Sequence, residues 1–269
     1  MPLLTLTSPI QRNSARRRIL LILLLLIPMH LQAIDGHQIM QNTYNRPAGK
    51  TSHSLVQMNL EDKNGDLHSR VVENWNMESS EGTTSTVICF HSPASVKDTR
   101  FLSIENRIRE DDQWIYLPAL GRVRRIAASE GDNSFMGTDF SYNDMQSREV
   151  YEDTHTLLRE ESIEEHDCYV VESIPKDPSS SQYSKKIQWI IGDIWVPLRG
   201  ELYDKTGSLL KVLTVQRIEK VQGIWTVIDT RMENVQTGHK TELNIKKLVY
   251  DKEFPESLFT VNFLRSGRP

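Results

Sequence analysis

Cysteine is almost absent. Cys89 and Cys168 are the two in 269 residues, so at most one disulfide can form. That excludes a disulfide-dense scaffold and a four-cysteine zinc site. Positive charge is also in deficit, with 32 Lys and Arg against 36 Asp and Glu and a formal net charge of −4. Four of the cations, Arg12, Arg16, Arg17 and Arg18, fall in residues 1–33, which hold no acid; without them the remainder moves from −4 to −8. Nucleic-acid binding draws mainly on positive charge, so this balance argues against it. Long apolar runs are missing except for Ile19–Met29. At ~1.5 Å rise per residue, a run of that length falls short of a ~30 Å hydrocarbon core. A composition 38% hydrophobic and 25% charged, with mean hydropathy −0.46, is that of a soluble globular chain.

The one apolar run follows Arg16-Arg17-Arg18 and ends at His30-Leu31-Gln32-Ala33. A basic stretch, a short apolar core and a small residue form a secretory signal peptide over residues 1–33, cut after Ala33. An uncleaved anchor is the alternative, because Leu31 breaks the small-x-small cleavage pattern. No cysteine lies near the cut, so the lipidation site of a bacterial lipoprotein is missing. The expectation is an exported, soluble, unlipidated protein with a single domain over residues 34–269. Outside the cell Cys89 and Cys168 could pair. Both sit in alternating apolar stretches, however, where a buried thiol behaves as a small hydrophobe; two free thiols are preferred.

Period-two alternation dominates residues 34–269. Val56, Met58 and Leu60 alternate with Gln57, Asn59 and Glu61, and Asn64-Gly65 then signals a tight hairpin. The return strand sets Leu67, Val71, Trp75 and Met77 on one face. Further strands read at 84–91, 99–106, 112–118, 122–127, 154–163, 167–175, 184–192, 197–204, 208–219, 224–236 and 240–250. A dozen or so strands on short turns imply a large antiparallel meander, because parallel crossovers need long helices that are absent here. Helical material is sparse. Asp35 can cap Ile39–Tyr44, stopped by Arg46-Pro47; Asp139 can cap Phe140–Met145, where Ser141-x-x-Asp144 resembles a capping box; Pro255–Phe259 offers one more turn. Such a sheet curls on itself or wraps the short helices, leaving either a packed core or an open apolar cavity.

Catalytic signatures are missing too: no G-x-S-x-G, no G-x-x-x-x-G-K and no H-E-x-x-H. The histidines are scattered, and Glu164-Glu165-His166-Asp167 reads as a solvated hairpin turn. The expectation is a protein that is not an enzyme and holds no metal and no cofactor. The informative segment is Asp111–Met145. There Trp114 and Tyr116 share a strand face, and Arg122, Arg124 and Arg125 form a basic cluster. Phe135, Met136, Phe140, Tyr142 and Met145 follow in a connection punctuated by Gly131 and Gly137. Apolar residues in a loop are costly unless covered. They either plug the end of the β core or form a lid over a greasy cavity. The arginines are either a solvated strand face or a contact for lipid headgroups or an acidic partner.

The run Trp114-Ile-Tyr116-Leu-Pro118-Ala-Leu-Gly-Arg122-Val-Arg124-Arg125-Ile126, with Ser134-Phe135-Met136-Gly137-Thr138-Asp139-Phe140-Ser141-Tyr142, resembles the outer-membrane lipoprotein-sorting proteins related to the LolA/LolB carriers. Cys168–Glu172, Pro175-Lys176, Glu201–Gly207 and Leu258–Thr260 extend the likeness. The resemblance implies a mainly β fold: an incomplete, strongly curved antiparallel β-barrel of about eleven strands wrapped over short helices, with an apolar cavity for acyl chains. It implies a periplasmic carrier of lipid or lipidated cargo toward the outer membrane, or else an accessory subunit that docks an RND-type inner-membrane exporter without carrying cargo. Partners would be lipid or the acyl chains of a lipoprotein, with no nucleic acid. Lipid-contacting or lid residues would be Trp75, Trp114, Tyr116, Phe135, Met136, Phe140 and Tyr142, with a basic contact patch at Arg122, Arg124 and Arg125. LolA sequences carry an Arg-Pro pair where this chain has Ser92-Pro93, and LolB is lipidated. These departures suit a specialised carrier better than the housekeeping shuttle.

Overall fold

The computed structural model describes residues 34–269; the expected signal peptide lies outside them. Thirteen strands form one antiparallel sheet. In the first half these are β1 (Thr51–Glu61), β2 (Leu67–Glu78), β3 (Thr84–Ser92), β4 (Arg100–Ile104), β5 (Asp112–Leu117) and β6 (Arg122–Arg125). In the second half they are β7 (Asp153–Ile163), β8 (His166–Pro175), β9 (Lys185–Ile191), β10 (Pro197–Tyr203), β11 (Leu209–Val221), β12 (Ile224–Asn234) and β13 (His239–Tyr250). Their order is β6-β5-β4-β3-β2-β1-β13-β12-β11-β10-β9-β8-β7, with β6 and β7 as unpaired edges. The sheet is two strands longer than the family resemblance implied, and all thirteen coincide with the alternating segments of the sequence. β1 turns into β2 at Asn64-Gly65, where Gly65 takes φ +88°, a left-handed value that a side chain disfavours.

Two hydrogen bonds show how far the sheet curls. Gln113 on β5 donates to the Tyr142 carbonyl, and Lys211 on β11 donates to the Asp144 carboxylate. Seven ladder steps separate β5 from β11, ~34 Å on a flat sheet at ~4.8 Å per step. Their targets are two residues apart. The strands therefore bend around the segment that holds Tyr142 and Asp144, giving an incomplete barrel with a distinct inner face.

Strand register assigns the faces. On the inner face Phe90 pairs with Val72 and Val72 with Val56, while Ile88, Phe101 and Ile115 form a neighbouring row. Leu60, Thr241, Met232 and Leu213 continue it toward the second half. On the outer face Trp75, Val87, Leu102 and Trp114 line up across four strands.

Helix α1 (Gly36–Tyr44) starts where Asp35 accepts a hydrogen bond from the Gln38 amide at 2.8 Å, the N-cap the sequence predicts. It buries Gly36, Ile39 and Thr43, one stripe at helical spacing, with Ile39 against Val171 and Ile190. Gly36 is required by contact: a Cβ there would sit 2.7 Å from the Leu157 amide nitrogen. The tail forms a 3-10 turn at Glu256–Phe259, as expected, and then an unforeseen helix α2 (Val261–Ser266) capped by Thr260. Leu258, Phe259, Phe263 and Leu264 cover Val87, Cys89 and Leu102 from outside. Each such side chain, buried, contributes roughly 1.5–3 kcal/mol.

The segment between β6 and β7 departs from expectation at one point. Asp139 does not cap a helix; Thr241 and His239 engage its carboxylate. Ser141 and Asp144 do form the reciprocal pair. The Ser141 amide donates to Asp144 at 2.8 Å and the Asp144 amide to Ser141 Oγ at 3.1 Å, closing the short turn Asn143–Met145. Both cysteines are buried free thiols.

Candidate functional site

The inner face is stoppered by residues 131–145. Phe135 is only 1% exposed; its ring lies 5.0 Å from Phe101 and 5.6 Å from Tyr142, both edge-on. With Ile126 and Tyr142 it rests on Val56, Met58, Leu60, Val72 and Ile115. Two successive left-handed residues, Met136 (φ +53°) and Gly137 (φ +78°), reverse the chain and let the Phe135 amide reach the Phe140 carbonyl at 2.7 Å.

Polar side chains from distant strands hold this stopper. Arg70 donates to the Met136 carbonyl at 2.6 Å and Gln113 to the Tyr142 carbonyl at 2.9 Å. Asp139, buried, receives Thr241 Oγ1 at 2.7 Å and lies 2.7 Å from His239 Nδ1. Asp144 receives the Tyr183 hydroxyl at 2.9 Å and Lys211 Nζ at 3.2 Å. Burial and the Asp144 charge push the Tyr183 hydroxyl's pKa up, so it stays a donor.

The sequence-predicted residues do not gather in one place. Phe135 and Tyr142 are packed core, and Met136 and Phe140 are half-buried beside them. Trp75, Trp114 and Tyr116 lie on the opposite face under the C-terminal tail, because period two sets them against Ile115 and Ile88. Trp75 stacks on His53 at 5.1 Å there, and Arg100 sits over Tyr116. The basic cluster is also largely spoken for. Arg124 grips Glu130 with two 2.8 Å contacts, and Arg125 shares Asp112 with Arg109. Arg122 alone of the three has no carboxylate partner among the described residues.

Two adjoining cavities, about 1080 and 700 Å³, open on this side of the sheet, and the smaller is lined by Asp132, Asn143 and Asp144 of the stopper. They share Glu105, Arg107, Ser147, Glu149 and Tyr151, and their walls are mixed rather than apolar. Burial and the neighbouring Glu105 and Glu152 hold the Asp111 carboxyl at a raised pKa of about 6, against two backbone donors that lower it. The smaller cavity reaches Tyr183 and Lys186. Sequence reasoning missed Lys186, Lys211, Tyr183, Arg70 and His239. In Lys185-Lys186-Ile187-Gln188-Trp189 the polar alternate reads as solvent face, whereas register puts Ser173, Lys186, Leu202 and Lys211 in one inner row. Among the described residues no cluster of three or more His, Cys, Asp or Glu suits a metal ion, and no helix is long and apolar enough to cross a membrane.

Comparison with known proteins places this geometry. A family model described as "Uncharacterized protein" matches residues 82–266. A DUF1329 family protein from Desulfovibrio piger is 32% identical over 85% of this chain and 97% of its own, with a TM-score of 0.82. The chain belongs to the DUF1329 family. A domain from Vibrio parahaemolyticus named for outer membrane lipoprotein sorting is 33% identical, covering 86% of this chain and 98% of its own, with a TM-score of 0.81. A LolA superfamily protein from Nitrosomonas europaea, 19% identical with a TM-score of 0.67, covers 86% of this chain and all of its own, and shares the fold. No curated protein sequence matches the chain. The fold seen here is thus shared with a LolA superfamily protein, as the motifs implied.

Proposed function

We propose that this DUF1329 protein is a periplasmic carrier that shields lipid, or the acyl chains of lipidated cargo, on the way to the outer membrane. One observation carries the reading: a curled sheet whose apolar inner wall over β1–β5 is closed by a short segment held through side-chain latches, helix α1 covering the same face only at Val171 and Ile190 of β8 and β9. Each methylene withdrawn from water contributes ~0.8 kcal/mol, so a fourteen-carbon chain placed on that wall gains on the order of 10 kcal/mol. That offsets the loss of the stopper's own contacts. The neighbour named for lipoprotein sorting supports the same reading. Function here is binding, with no bond made or broken.

Native mass spectrometry of protein isolated from its own membranes, paired with titration of a fluorescent fatty acid, tests it. A bound lipid mass and saturable uptake are expected. Ligand-free protein that takes up no fatty acid overturns the reading.

A further inference from the structure

Lys186 and Lys211 flank the Tyr183 ring, their ammonium groups 5.3 and 5.5 Å from its centroid. Lys211 is satisfied by Asp144 and by the Tyr183 hydroxyl at 3.0 Å. Lys186 is not: its ammonium makes no hydrogen bond or ion pair among the described residues. The other cations on this cavity wall are all engaged. Arg109 pairs with Asp112, Arg148 with Asp153 at 3.0 Å, and Arg107 donates to the Glu81 carbonyl. Lys186 is half-buried with only the Tyr183 ring face against its ammonium; a partly desolvated cation without a counter-charge is unfavourable, and a ligand that supplies an anion relieves it. Burial pushes the Lys186 pKa down, with Asp144 and Asp153 opposing and Arg148 and Lys211 assisting, in keeping with a cation that lacks its counter-charge.

Apolar wall begins at the same ring. Tyr183, Leu202, Met232, Leu210 and Leu213 form one cluster, and Phe140 of the stopper lies on it. A charged contact and an apolar track thus adjoin, with Leu202 paired directly to Lys186 in the ladder.

We propose that Lys186 is the headgroup site for an anionic single-chain amphiphile, whose carboxylate or phosphate monoester sits on the ammonium while its chain displaces Phe140 along Leu202, Leu213 and Met232. This rests on the carrier reading. It adds the class of cargo and the residue that selects it.

Titrations of laurate, dodecyl phosphate and neutral monolaurin into the full protein and into Lys186→Met and Lys186→Arg test it. Lys186→Met should weaken the anionic ligands about tenfold or more and leave monolaurin unchanged, while Lys186→Arg keeps most of the affinity. Dependence on Lys186 for laurate alone identifies a carboxylate head, and for dodecyl phosphate alone a phosphate head; either supports the site. In unsubstituted protein, tighter binding of either anion than of monolaurin reads the same preference without a variant. Equal affinity for all three ligands, unaffected by Lys186→Met, overturns the headgroup site and leaves the carrier reading standing. Equal loss of neutral and anionic binding overturns it too. Binding of none of the three overturns both.

Discussion

The Phe135 ring meets Phe101 edge-on, centroids 5.0 Å apart and planes 69° from parallel. One ring belongs to a connection without regular structure, the other to β4. Edge-to-face pairs of this kind add to the apolar area they bury. With both rings at or below 1% exposure, Phe135 is a core residue supplied by a loop. Phe135→Ala should cost about 3–5 kcal/mol of stability, the range for emptying a packed aromatic site. A urea unfolding curve measures this; a loss below 1 kcal/mol would show that the stopper is not part of the core.

The thirteen strands were legible because alternation survives curvature: β1 buries Val56, Met58 and Leu60 as its sequence reads, and extends the same face to Ser54. The faces were harder. Trp114 and Phe135 looked like one greasy site because both are aromatic and near in sequence. Yet the pleat of β5 sends Trp114 outward while the chain reversal at Met136-Gly137 drives Phe135 inward. Lys186 and Lys211 escaped notice for the converse reason, since a polar alternate in a strand means solvent only if the sheet stays open. Helix α2, six residues long with its cap at Thr260, falls below the length at which periodicity signals a helix.

Phe140 differs from Phe135 in being half-buried. Phe140→Ala should cost less than half the stability lost by Phe135→Ala, since fewer contacts vanish. It should also tighten fatty-acid uptake, because cargo no longer displaces that ring. Paired thermal unfolding and fluorescent fatty-acid titration give both numbers. Weaker uptake in a folded variant would mean that Phe140 supports cargo instead of excluding it.

Asp139 fixes the middle of the stopper through Thr241 and His239. Asp139→Ala leaves the fully buried Thr241 hydroxyl without its acceptor and the half-buried His239 without its carboxylate, and the buried group alone costs about 1–3 kcal/mol. The loosening should be local. Amide hydrogen exchange across residues 134–145 should accelerate by more than tenfold while β8 and β9 keep their protection. Uniform acceleration over the whole sheet would locate the role of Asp139 in global stability.

Cys89 faces outward beneath the tail and Cys168 lies in the cluster of the second half with Val170 and Trp189. Burial pushes the Cys89 thiol pKa up to about 12 and raises that of Cys168 as well, and the thiolate is the reactive form. Neither should react with a thiol reagent in native protein at pH 8, and both should react in urea. Intact mass should be the same with and without reductant. A two-proton deficit before reduction would reveal a disulfide.

Asp111 supplies a pH dependence with a defined sign. Its folded pKa of about 6 lies above the ordinary 3.8, so between those values the folded state holds a proton that the unfolded chain has lost. Stability from this group is therefore largest below about pH 4, falls as pH rises to about 6, and is level beyond. Asp112, held at a pKa of about 2 mainly by Arg109, acts in the opposite sense at lower pH, and an Asp111→Asn comparison cancels it. The melting temperature of the unsubstituted protein minus that of Asp111→Asn should decline between pH 4 and pH 6.5 and then stay flat. A difference that rises across that interval would mean that the two backbone donors, Asn106 and Ser147, outweigh burial and the charges of Glu105 and Glu152.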